Sequence, residues 1–463
     1  LWLDFETAGK EGTYYSIGIP GRTYGLIWPD RTVQPELWQL KKSPQPVDIG
    51  VLNLDEGEFI IENRHHFRNL DELDIRWMVT ENEKVVENGS LNLDTPAGIF
   101  EEIRIPFSEP AVVPGAIYHL IITCRTTGDH PWALAGHEVA WEQFKLPFYE
   151  EPVRMEDHSP SLQGQETEQH YTITGEGFSY TFDKNTGIMK SMVIDGKELL
   201  SRGPRLNVWR APLANDLDSW NFLRTDMGYT QDWMGKETAN GWRSIGLDRL
   251  EHDVDRFTRY MGVSFAEIHI EASVHSNNYS TGFKVHYQYT IWANGEIKIS
   301  TRVSPRGYLT RWIPKIGLQM ELLPAYGNME WFGRGPFETY PDRKTGAKVG
   351  RYSTTVEEDF VPYIIPQDYG NRTDVYWFKL TDESGTGLYV TGDEAFNASA
   401  QKYTTENLDR AHYPFQLKEE QVVTLNLDHR MSGVGGTANS VLNRYRVLPG
   451  ETSFTFYIRP IRK

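Results

Sequence analysis

The chain has 463 residues, 39% hydrophobic and 24% charged, which is ordinary globular composition and enough length for two or three domains. A formal charge of −17 argues against nucleic acid, whose phosphates it would repel. No apolar run approaches the ~18 residues of a membrane-spanning helix, so no membrane partner is expected. The one cysteine, Cys124, lies in the apolar run HLIITC and reads as a small buried hydrophobe.

Residues 1–5 alternate as a strand, placing Trp2, Asp4 and Glu6 on one side. So apolar an opening, with no initiating Met and no signal-peptide pattern, suggests a fragment of something longer. A glycine-rich loop, an apolar run at 24–28, a turn at 29–30 and a helix over 35–42 follow. One strand, a loop and one helix cannot bury a core alone. Pro44 and Pro46 break the helix and act as a linker.

From about 47 to 147, short alternating runs at 59–63, 74–79, 103–106 and 118–124 fit an immunoglobulin-like sandwich. Residues 150–169, rich in acid, Pro, Ser and Gln, read as an exposed linker. Beyond 170 strands dominate, at 171–173, 178–182, 283–292, 297–303, 388–391, 422–427 and 454–458. Asp195-Gly196 and Asn294-Gly295 are hairpin signals between them, and the whole reads as one very large sandwich. Within it, residues 331–353 carry Gly333, Gly335, Gly350, Pro336 and Pro341 among aromatics and paired charges. That stretch is expected to be a loop on a β-edge, either a structural corner or a contact with a polar ligand or another domain.

His137-Glu138 begins like a zinc-protease helix, but Trp141 stands where the second His ligand is needed. His65-His66 would point to opposite faces of a strand and cannot chelate as a pair. No CxxC, P-loop or GxSxG is present. Carboxylates remain: Asp4 and Glu6 share a strand face with Trp2, a carboxylate-and-indole combination found in glycosidase sites. Asn215-Asp216 closes a Pro-containing loop and either caps a turn or lines a site. The glycine-rich residues 433–440, with Asn439, lack the Lys and helix of a phosphate cradle.

Six motifs occur in order: TYGLIWPDRTVQPELWQLKKS at 23–43, AGHEVAWEQF at 135–144, WRAPLAND at 209–216, GRGPFETYPDRKTGAKVG at 333–350, PQDYGNRTD at 366–374 and LNLDHRMSGVGG at 425–436. Together they resemble the C-terminal part of large β-galactosidases of glycoside hydrolase family 2. The resemblance implies a mainly β chain in four parts. Residues 1–43 would be the end of a (β/α)₈ catalytic barrel and 44–149 an immunoglobulin-like sandwich. A linker would cover 150–169, and 170–463 a large supersandwich similar to galactose mutarotase. A barrel takes about 250 residues, so the family's two catalytic glutamates would precede Leu1, and no catalytic residue is expected in this chain.

The resemblance further implies that Trp2, Asp4, Asn215, Asp216 and Asn439 form a rim of the sugar site. Glu338, Asp342 and Arg343 then read as a polar brace. No cofactor or metal is expected here, since the Mg or Na of the parent would sit in the barrel, and Gly21 and Tyr24 replace residues that help bind sodium. The implied partners are the remaining domains of the same enzyme and a β-galactoside or related glycan. A homo-oligomer is allowed, and a bacterial cytoplasmic or periplasmic location stays open. Phe337 stands where the family has His, and residues 437–441 lack the aromatic that stacks on sugar in relatives. Both departures point toward a galactoside other than lactose, or toward another β-linked sugar. The alternatives are a non-catalytic carbohydrate-binding or complementing subunit, and an epimerase using His412 and Glu338.

Overall fold

A computed structural model describes residues 26–28, 30–152, 161–217, 238–277, 280–435 and 441–462. The chain divides into two compact units, one comprising Leu1–Thr32, Asp157–Lys344 and Tyr352–Lys463, the other Val33–Glu156 and Thr345–Arg351.

In the larger unit alternating apolar residues drive strand after strand onto one core. Ile268, Ile270, Tyr287, Tyr289, Ile297 and Ile299 all point inward and are at most 1% exposed. The resulting antiparallel sheet is twelve-stranded among the described residues. Its main path runs Leu200–Asn207, Lys315–Leu322, Val423–Met431, Gly387–Gln401, Thr452–Ile461, Ile297–Arg306, Gly282–Trp292, Phe265–His275 and Glu251–Met261. The strand Arg372–Thr381 joins beside Gly387–Gln401 and carries Asn328–Gly335 on its other edge. A five-stranded sheet built from residues 163–198 packs on this surface. Phe182 meets the edge of Tyr289 at 5.0 Å, and the Tyr180 hydroxyl donates to the Gly295 carbonyl at 2.7 Å.

The second unit has two antiparallel sheets, Val47–Asn53, Glu58–Asn63 and Phe100–Arg104 in one, and Lys84–Leu91, Leu73–Glu81, Tyr118–Thr126 and Glu138–Lys145 in the other. Three strands against four, around Phe59, Ile61, Ile75, Leu120 and Ile122, is the expected immunoglobulin-like arrangement. Cys124 is fully buried there, and burial pushes its thiol up to about 12, so it behaves as a hydrophobe. His137-Glu138 opens a strand instead of a helix. The helix Pro35–Lys42 belongs to this unit: Lys42 donates to Glu142 and the Trp141 carbonyl and lies 4.2 Å over the Trp141 ring.

Residues 345–351 also belong here, although the chain on both sides of them lies in the larger unit. Gln39 donates to the Thr345 hydroxyl at 2.7 Å and accepts from the Gly346 amide at 3.0 Å. Gln143 pairs with both backbone groups of Val349 at 2.7 and 2.9 Å, and Lys348 bridges to Glu138 at 2.8 Å.

Three expectations from the sequence change. Residues 163–166, expected within a linker, form an edge strand; its QGQE sequence is exposed throughout, so no alternation marks it. The stretch expected as a loop over 331–353 begins in the strand Asn328–Gly335 and ends in the strand Lys348–Thr355. Gly333 is not a breaker in it: a Cβ there would come within 2.9 Å of the Val375 backbone, so the glycine permits close strand approach.

A helix at Thr238–Ser244 was also not expected. It inserts Trp242, fully buried, edge-on to Trp312 at 4.8 Å and Trp209 at 6.2 Å, with Nε1 donating to the Trp312 carbonyl at 3.0 Å. Trp242→Ala should therefore destabilise the chain by about 4 kcal/mol, read as a lower urea midpoint for the larger unit; a change within error would show that this aromatic cluster is not its keystone.

Candidate functional site

At one place in the larger unit, segments around 209–217, 336–344, 366–374 and 431–435 are tied together by side chains. Arg210 is fully buried, and its guanidinium grips Asp216 through Nη2 at 3.0 and 3.1 Å and through Nε at 3.2 Å. The same group donates to the carbonyls of Ser432 at 2.8 Å and Gly433 at 3.1 Å. Asp216 also accepts the Leu213 amide at 3.0 Å, closing the turn that Pro212 begins. Asn215 donates to the Val434 carbonyl at 3.0 Å. From the other side Asp342 accepts the amides of Val434 at 2.9 Å and Gly435 at 2.8 Å. A Cβ on Gly433 would lie 2.3 Å from that carboxylate, so only glycine lets the loop come this close.

The Ala214 amide donates to Gln367 at 2.6 Å, and Tyr340 donates to Asp368 at 3.2 Å. Gln401 holds Asp368 and the Tyr369 carbonyl at 3.2 and 2.6 Å. Glu338 accepts from Arg343, from the Tyr363 hydroxyl at 2.5 Å and from the Gly370 amide at 2.8 Å. Arg372 pairs with Asp359 and lies 4.7 Å over the Trp331 ring. On the adjoining strands Lys315 donates to Asn426 at 2.9 Å and to Asp428 at 3.2 Å, both partners of the ion pair being at most 1% exposed.

Burial sets the electrostatics. It pushes Asp216 and Asp368 above the ordinary carboxylate value against the pull of nearby cations, Arg210 for Asp216 and Lys315 and Arg210 for Asp368. It raises Asp428 and Asp359 to about 6 despite Lys315 and Arg372 beside them. Asp374 goes the other way, because Arg334 and Lys344 together outweigh its burial. Chemically the arrangement fixes loop positions: each carboxylate named is held by a cation, a hydroxyl or backbone amides.

Of the residues expected at a sugar rim, Trp2, Asp4 and Asn439 lie outside the described residues. Asn215 and Asp216 are both at the convergence. Asp216 is fully engaged below the surface, whereas Asn215 is partly exposed beside Val434. The sequence reading missed Arg210, Asp368, Gln401 and Lys315. A charged residue inside an otherwise apolar run, as in NVWRAPL or LNLDHRM, was the available signal, because such a charge demands a partner. Among the described residues no group of three or more His, Cys, Asp or Glu is placed to hold a metal.

Residues 174–458 match the family model for the β-galactosidase small chain, and 59–147 match that for β-galactosidase domain 4. The chain belongs to the β-galactosidase family. Within that family, the β-galactosidase of Priestia megaterium is 32% identical over 89% of this chain and 38% of its own length. That of Vibrio cholerae is 30% identical over the same shares. The chain thus spans about two-fifths of the β-galactosidase relatives it matches, along their C-terminal portion. Among solved structures, a galactose 1-epimerase from Lactobacillus acidophilus aligns over 65% of this chain and 99% of its own, at a TM-score of 0.37 and 9% identity. Likeness at that level says nothing about activity.

Two outcomes follow. Arg210→Met strands Asp216 in a dry site and should cost about 3–5 kcal/mol, measured by chemical denaturation; a loss under 1 kcal/mol would mean that Asp216 finds another donor. Asp428 keeps its proton up to about pH 6 when folded but releases it near 4 when unfolded. Its contribution is therefore largest below the unfolded value and is lost as pH rises from about 4 to about 6. The stability of wild type relative to Asp428→Asn should fall across that window and stay flat above it.

Proposed function

We propose that this chain is the C-terminal part of a retaining β-galactosidase-type glycosidase, hydrolysing terminal β-D-galactosides or a related β-linked sugar. Its role is to hold the loops that border the sugar site, and the catalytic glutamates lie in the barrel of the whole enzyme. The observation that carries this reading is the match of both domain families, in order, to the C-terminal two-fifths of β-galactosidases.

The chemistry agrees with a supporting role. A retaining glycosidase sets two carboxyls about 5–5.5 Å apart, one protonated and one ionised, with freedom to exchange roles. The carboxylates at the loop convergence are committed elsewhere: Asp216 to Arg210, Asp342 to the loop amides, and Glu338 to three donors. Glu338 in particular would have to release Tyr363 and Gly370 before acting as a base, which removes support from an epimerase reading. What these groups supply is preorganisation: a rim held in place before the substrate arrives spends no binding free energy on ordering it. Phe337 and the absence of an aromatic at 437–441 support a sugar other than lactose.

The test is hydrolysis of nitrophenyl β-D-galactoside by this chain alone, and by the chain joined to the N-terminal and barrel domains of the Priestia megaterium relative. Turnover by the joined protein and none by the chain alone is expected. Comparable turnover by the chain alone overturns the proposal. Activity recovered by mixing the two separate parts would instead mark a complementing subunit.

A further inference from the structure

We infer that the larger unit carries a ligand site, a pocket for an acidic saccharide, formed where the strands Gly387–Gln401, Val423–Met431 and Thr452–Ile461 meet residues 341–344 and 444–448. The pocket has a volume of about 520 Å³, which accommodates a mono- or disaccharide.

Charge is its distinguishing property. Lys344, Arg430, Arg444 and Arg446 line it against two carboxylates, Asp374 and Glu451. On a chain of net charge −17 such a local excess of cations is the reverse of the overall field. Asp374 pairs with Lys344 at 2.8 Å and with Arg334 at 2.5 Å, so it offsets Lys344 and leaves Arg430, Arg444 and Arg446 facing Glu451. Arg430 meets Glu394 only at 3.4 Å with both side chains more than 60% exposed, a pairing worth little in water. Arg444 lies 4.8 Å over the Tyr445 ring, and among the described residues no carboxylate pairs with it. Stacking a guanidinium on an aromatic ring leaves its N–H edge presented for an oxyanion.

The pocket wall also shows signs of being shaped. Asp374 holds φ +52°, a left-handed conformation that a residue with a side chain seldom adopts, beside a register shift between Arg372 and Val375. Asn397 brings an amide suited to sugar hydroxyls, and Tyr445 and His429 bring ring surface. His429 is kept neutral toward lower pH than usual by its burial and by Arg430. An oxyanion carried on a polyhydroxylated ring satisfies all of these features together. The choice of a sugar rests on the glycosidase reading above; the preference for an anion does not.

The test is calorimetry on the full chain at physiological ionic strength, titrating galacturonate, galactose 6-sulfate, galactose and inorganic sulfate. Saturable binding of at least one acidic sugar is expected, at least tenfold tighter than galactose and than sulfate. Which of the two binds more tightly assigns carboxylate or sulfate ester. Arg444→Gln and Arg430→Gln, both at exposed positions, should each weaken binding about tenfold, as loss of a charge-assisted hydrogen bond does. Equal binding of galactose, sulfate binding as tightly as the sugars (an adventitious ion only), no saturable heat, or unchanged affinity in both variants overturns the inference. Hydrolysis by the joined enzyme with silent calorimetry removes this pocket alone, and saturable binding without hydrolysis removes only the proposed function.

Discussion

A guanidinium taken wholly out of water is the constraint on which the loop end of the larger unit depends. Arg210 has five donors and no acceptor, and burial leaves it only protein atoms to satisfy them. It spends them on a carboxylate six residues away and on two carbonyls more than two hundred residues away. The loop at 432–435 can therefore sit only where its carbonyls face Arg210, while its next amides face Asp342. Gripped from both sides by side chains from distant parts of the sequence, that loop has one position.

The strands next to it extend the same logic. Lys315, Asn426, Asp428 and Ser399 are buried polar residues on neighbouring strands of the large sheet, linked by direct hydrogen bonds where an apolar face would be easier to build. Buried ion pairs of this kind add little net stability compared with a hydrophobic replacement, because desolvation offsets the attraction. Their contribution is directional: a misplaced loop strands a charge at a cost of several kcal/mol, whereas a misplaced leucine costs far less. Apolar alternation sets how much structure forms, and the polar network sets where the loops go.

How much of this can be read from sequence follows from the same division. The strands of the immunoglobulin-like unit were legible because Ile75, Trp77 and Val79 alternate with half-exposed or exposed residues. Lys315–Leu322, buried at nearly every position, and Gln163–Glu166, exposed at every position, carry no alternation and were not legible. The family was legible from six motifs, and one of the two described rim residues, Asp216, shows the turn-capping geometry that its setting after Pro212 allowed. Arg210 was not legible as a centre, since its decisive partners are backbone carbonyls, which no residue type announces. The left-handed Asp374 gave no sign either, because its cause lies in strand pairing far along the chain.

The seven residues 345–351 bear on inheritance. The smaller unit cannot be exchanged between relatives as a single continuous cassette, because part of it is encoded inside its neighbour. A recombinant that takes residues 33–156 from one parent carries Gln39, Glu138 and Gln143 but takes Thr345, Lys348 and the backbone of Val349 from the other. The two stretches must therefore be selected together across an interval of nearly two hundred residues, so a crossover between them is tolerated only when both parents already agree at these contacts.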